Sequence, residues 1–177
     1  MLSNDPVTNA VYDGIKRGIR VCLDNNCLGS VVVLVYSGID AMAYLGMPAR
    51  QVDVTRADFI AWCDKYIQFG GGQQLTGQEL YGARCAVLHT YGVESRLSRQ
   101  GDCRKLGYMD RSVPEIRYSP SVDPTVALVS IEALANAFFR ALDRYLVDLF
   151  ADPLKAPEAE TRLNQLLMSF SLEAPSA

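Results

Sequence analysis

Near the middle of the chain the stretch Tyr81-Gly-Ala-Arg84-Cys-Ala-Val-Leu-His89-Thr-Tyr91 brings together a permanent cation, an imidazole and a phenol. His89 is the only histidine among the 177 residues. An unperturbed imidazole titrates near pH ~6.5 and serves as base or acid without special tuning. Arginine stays charged and presents a planar fork of donors that fits a phosphate. That set of groups is suited to moving a proton beside a phosphoryl centre.

These residues need an element to carry them, and the pattern around them is helical. Thr76 and Glu79 form a capping-box pair that opens a helix closing near Gly92. On a wheel of about 100° per residue, Leu80, Val87, Leu88 and Tyr91 fall within about 60° of Arg84. The guanidinium therefore leaves from the middle of an apolar stripe. An unpaired cation is costly there. Either Arg84 pairs with a buried carboxylate, for which Asp40 is one candidate, or it lines a cleft. His89 lies about 140° around and roughly 7.5 Å along the axis, on a flank with Gly82, Cys85 and Ala86. Small residues one turn apart admit a second helix, and a second subunit is a natural source for it. A histidine in the last turn also favours the helix dipole with no further role.

The rest of the chain reads as helices around this one. A first amphipathic helix is expected from Pro6 or Val7 to about Asn25, and a long buried one over roughly Leu28 to Leu45. Thr55 followed by Asp58 opens a third, to about Phe69. Gly70-Gly-Gly72 then reads as a connector, since no lysine or preceding strand makes it a phosphate loop. Lys105–Met109 and Glu115–Tyr118 are expected as two short strands flanking a turn with Ser112 and Pro114. Asp123-Pro124 signals the start of a long helix to about Phe150, and a last helix is expected from about Pro157 to Phe170, followed by a frayed tail. The fold class is thus mainly all-α: a bundle of about five to six helices in a single domain over residues 1–177, with a short β-hairpin insert at about 93–122.

Composition narrows the functional classes. The net charge of −3 makes no general case for nucleic acid or membrane, but its distribution is uneven. From Arg84 to Arg117 there are seven basic and four acidic residues, a local excess of three that leaves the remainder at −6. Within that strip Arg96, Arg99, Arg104, Lys105 and Arg117 are candidates for holding a polyanion such as RNA. Tyr108 and Tyr118 beside them could stack on bases or pack across strands. The five cysteines have no metal or redox spacing, and one histidine removes most zinc sites, so neither metal nor cofactor is expected. The polar start of the chain and the odd cysteine count point to a cytoplasmic location. The densest apolar run, Val31 to Val35, is too short to span a bilayer.

The stretch Leu75–His89, with arginine, four residues, then histidine late in a helix, resembles the core helix of the HEPN superfamily. The spacing of Arg84, His89 and Tyr91 is similar to that of HEPN toxins paired with minimal nucleotidyltransferase antitoxins. The resemblance is loose over residues 7–150 and specific over 75–91. It implies a homodimer with two Arg-His pairs facing across a cleft, and metal-independent cleavage of RNA. Arg84 would stabilise the scissile phosphate, His89 would take the 2′-hydroxyl proton or protonate the leaving oxygen, and Tyr91 would accept nucleotides from the antitoxin. The alternative is a non-catalytic HEPN-like module that binds RNA, a nucleotide or a protein. A purely structural helical dimer with Arg84 salt-bridged is a third reading.

Overall fold

An N-terminal proline and an aspartate before it start the first helix. The Asp5 carboxylate accepts from the Thr8 N–H at 2.6 Å, and Pro6 takes the first helical position, where its missing donor costs nothing. The structure, a computed structural model, describes residues 5–110, 114–163 and 166. Helix α1 (Pro6–Asn9) runs through a π-helical stretch, Ala10–Lys16, into α2 (Arg17–Asp24), so the expected first helix is present with a wider middle. Asn26 then adopts φ of +56°, a left-handed turn that asparagine tolerates, and α3 (Leu28–Gly46) begins.

Helix α3 is the centre of the bundle. Val31, Val35, Tyr36, Ile39 and Met42 on it are fully buried, and it packs against α2, α4 (Arg56–Tyr66), α5 (Gly77–Thr90), α7 (Ile131–Ala151) and α8 (Lys155–Leu163). Burying each such side chain contributes about 1.5–3 kcal/mol. By length and composition the whole of α3, with mean hydropathy 1.6, would suffice to cross a membrane, so the apolar segment is longer than Val31 to Val35 indicated. Half of it is buried inside the fold, as suits a core helix. Buried side chains from Val7 to Ala159 form one continuous cluster.

Both capping boxes form as the residue types require. In α4 and in α5 the cap threonine accepts from the third backbone N–H, and the acid there accepts from the threonine N–H. Helix α4 stops at Tyr66, short of the expected Phe69, because Ile67 turns to extended backbone. Ile67 and Phe69 are buried in that extended form. The connector is tied by Gln74, whose amide bonds both the N–H and the carbonyl of Phe69, while the Gly70 and Gly71 N–H groups hold the Glu115 carboxylate.

The β region departs from expectation. Strands β1 (Lys105–Met109) and β2 (Ile116–Arg117) are present near their expected positions, yet they do not pair as a hairpin. A third strand, β3 (Val126–Ser130), lies between them, parallel to β1 and antiparallel to β2. The expected long helix therefore starts at Ile131, with Ser130 as its cap, and not at Asp123-Pro124. Asp123 instead ties a turn, accepting from the Thr125 N–H at 2.7 Å and the Thr125 hydroxyl at 2.6 Å. Burial explains the preference: Ala127 and Val129 alternate inward, in register with Leu106 and Tyr108, and cover the bundle beside Ile116. Ser112 of the expected turn, and residues 164, 165 and 167–177 of the expected last helix and tail, lie outside the described residues.

Helices α4 and α5 come close at Gly77, whose N–H donates to Asp64 Oδ1 at 2.6 Å. A Cβ there would stand 2.5 Å from the Ile60 carbonyl oxygen, which belongs to helix backbone and cannot swing away. Gly77→Ala is expected to cost about 1–3 kcal/mol by forcing the helices apart, read as a lower urea midpoint with unchanged slope.

Candidate functional site

The carrier of the candidate residues, α5, is set at both ends. Its N-terminus is held by Thr76 and Glu79, and its C-terminus by Tyr91, which adopts φ of +53° and donates its N–H to the Val87 carbonyl at 2.8 Å. The next N–H, of Gly92, reaches Ala86 at 3.2 Å, closing the last turn. Tyr91 thus does a job glycine usually does, and its ring leans over the start of α3. A Cβ on Gly29 would meet the Tyr91 hydroxyl at 1.7 Å, so the missing side chain of Gly29 makes that approach possible. Tyr91 is nevertheless 70% exposed.

Arg84 is paired. Its Nε and Nη2 both donate to one oxygen, Asp40 Oδ2, at 2.9 and 2.8 Å, bridging α5 to α3. Each side chain is 24% exposed. Asp40 takes two of the five N–H donors of the guanidinium, and the Cys85 side chain is a further hydrogen-bond partner. Burial raises the Asp40 carboxyl above its ordinary value, and the Arg84 hydrogen bond and charge offset that only in part. On the arginine, burial works toward a lower value, but the bond and charge of Asp40 outweigh it and hold the cation more firmly. We take the pair as ionised at neutral pH, since Asp40 receives two donors from a group that does not give up its proton.

His89 lies about 140° around the same helix from Arg84. It is exposed, and its side chain makes no hydrogen bond or ion pair among the described residues. One chain therefore brings Arg84 to Asp40 and Tyr91 to Gly29, with no hydrogen bond from His89 to either among the described residues. The small residues on its flank are already used in part: Gly82 is covered by Cys103 and Ser95 of the same chain, with the Cys103 sulfur 2.6 Å from where a Cβ would stand.

The basic strip is divided by its own carboxylates. Arg104 is clamped by Glu79 through Nε and Nη2, and its guanidinium lies 4.2 Å from the centre of the Tyr118 ring. Lys105 reaches Glu94 at 3.3 Å. Arg96 and Arg99, on the single turn α6 (Arg96–Arg99), and Arg117 on β2 are exposed and have no such partner among the described residues. Tyr108 shares a hydrogen bond with Tyr36 at 3.0 Å inside the fold, so its hydroxyl is already engaged. Among the described residues no three acidic, cysteine or histidine side chains converge as for a metal ion. Glu79 was legible only as a capping residue. Its second duty, toward Arg104, depends on the chain returning to the start of α5 after 25 residues, and nothing local signals that.

Compared with protein-family models, curated proteins and solved structures, the chain matches none.

Glu79 gives the site a pH signature. Burial works to raise its carboxyl, but the Arg104 bond and the Thr76 backbone bond outweigh it and leave it below the ordinary 4.5. A lowered carboxyl adds stability above the unfolded value that is lost as pH falls through the folded one. Glu79→Gln is expected to be about 2 kcal/mol less stable at pH 7, with Arg104 left unpaired, and to lose less on acidification below pH 4.5. Urea melts of both proteins across that range give the comparison.

Proposed function

We propose that this chain is a HEPN-type helical protein acting as a metal-independent endoribonuclease, of the toxin or defence-effector kind, working in the cytoplasm as a homodimer on RNA. The observation that carries the reading is the Arg84 arrangement: a guanidinium rising from an apolar helical stripe, oriented by one carboxylate oxygen of Asp40, with donors that Asp40 does not use. A cation held in place before substrate arrives stabilises charge that grows on phosphoryl oxygens. His89, exposed with its imidazole uncommitted, has the chemistry for the proton at the 2′-hydroxyl or at the leaving oxygen. On one helix the two are about 140° apart, so the reading relies on the second subunit to bring a histidine and an arginine to one cleft. Tyr91, exposed at the end of the same helix, is reachable by a nucleotidyltransferase-type antitoxin. Arg96, Arg99 and Arg117 are open to a phosphate backbone, whereas Arg104 and Lys105 would first have to leave Glu79 and Glu94.

A second reading, a non-catalytic module that binds RNA, a nucleotide or a protein, is favoured by the same ion pair. An arginine satisfied by Asp40 also explains itself as a fastener between α3 and α5.

Incubation of purified protein with RNA in EDTA separates the two. The ribonuclease reading expects cleavage that drops about 10²–10³-fold in Arg84→Ala and about 10²–10⁴-fold in His89→Ala, with both variants folded. No cleavage by the wild type, together with RNA binding that survives His89→Ala, supports the module and sinks the enzyme.

A further inference from the structure

Arg56 opens α4, directly after the cap residue Thr55. A cation is poorly placed there, because the helix dipole puts partial positive charge at that end. Its location is nonetheless well defined. The capping box fixes the first turn, with the Thr55 N–H donating to Asp58 at 2.7 Å. Asp58, the nearest acid in sequence within the helix, is occupied by Thr55 and Gln51. Arg56 is exposed and makes no hydrogen bond or ion pair among the described residues. Its guanidinium carbon lies 5.4 Å from the centre of the Tyr81 ring.

Tyr81 makes this relevant to Arg84. It precedes Arg84 by three residues on α5, so the two share one face of the helix. Its ring is braced by the edge of Phe59 at 5.5 Å, from the same helix that carries Arg56. Burial raises the Tyr81 phenol, while Arg84 and Arg56 both pull it down, so the two cations act on one hydroxyl from different helices. Charge then distinguishes the arginines around α5. Asp40 neutralises Arg84 and Glu79 neutralises Arg104. Arg56 has no carboxylate of its own among the described residues, and it is the cation of these three whose charge is uncompensated.

We propose that Arg56, seated on the Tyr81 ring, is a phosphate-binding residue for an RNA strand laid across α5, contacting a phosphodiester next to the one that Arg84 addresses. Arg84's part rests on the ribonuclease reading, whereas binding by Arg56 requires no cleavage. A guanidinium over an aromatic ring is restrained without losing its donors, which suits repeated capture of phosphate.

The test uses the full chain and a fluorescent, uncleavable 2′-O-methyl oligoribonucleotide, with affinity followed by anisotropy over a salt series. Arg56→Ala is expected to weaken binding about five- to tenfold near ~0.1 M salt and to reduce the slope of log affinity against log salt by about 0.7, the value for one phosphate on a single strand. Arg56→Lys should restore most of the slope, and Tyr81→Leu should weaken binding without changing it. Circular dichroism confirms that the variants are folded. An Arg56→Ala protein with unchanged affinity and slope overturns the proposal, as does a wild type that does not bind. Binding that depends on Arg56 in a protein that cuts no RNA upholds the proposal and removes the ribonuclease reading. RNA cleavage whose KM is unmoved by Arg56→Ala does the reverse.

Discussion

One apolar helix of nineteen residues must be kept from water, and the rest of the molecule is arranged by that need. Helices α2, α4, α5, α7 and α8 all lie against α3, and each brings apolar residues to it. Several polar groups that meet α3 are tied to a partner, whereas the buried Tyr145 hydroxyl beside Gly46 has none among the described residues. Arg84 meets Asp40, Tyr108 meets Tyr36, and buried Arg162 donates to the carbonyls of Leu45, Met47 and Pro48 where the helix ends. The cost of leaving such groups unpaired in an apolar setting makes these links as selective as the packing.

The same constraint shapes the candidate site. A guanidinium on the face of α5 that meets α3 is tolerable because Asp40 receives it, and that pairing also sets its direction. Glu79 does comparable work one turn earlier, ending a helix cap on one side and holding Arg104 on the other. Ion pairs therefore neutralise part of the basic strip; among its described residues Arg96, Arg99 and Arg117 stay open, as Arg56 does in a different region of the chain. Net charge along the sequence is a poor guide to surface potential when the compensating acids come from elsewhere.

The sheet shows how local signals are outvoted. Asp123-Pro124 has the residue types of a helix start, and Val126 to Ser130 could continue a helical stripe. In the fold those five residues are the central strand, because hydrogen bonds to β1 and β2 on both sides and two fully buried side chains, Ala127 and Val129, reward extension. A parallel partner some twenty residues upstream has no short-range signature. The short α4 has a similar origin: Ile67 and Phe69 are buried in extended form, which a helix running on would have turned elsewhere.

Periodicity and capping chemistry by themselves determined most helices here, since Thr55 with Asp58, Thr76 with Glu79 and Pro6 after Asp5 act within a single turn. They also placed Arg84 in an apolar stripe and named Asp40 among its possible partners. Which alternative holds, and whether His89 shares a space with Arg84, depends on groups far apart in the chain. The tertiary structure alone decided that Arg84 meets Asp40 across forty-four residues, that Cys103 covers Gly82, and that Arg56 sits on Tyr81. Hydrogen bonds and ring contacts act over a few ångströms, and only the packing of α3, α4 and α5 brings those side chains that close.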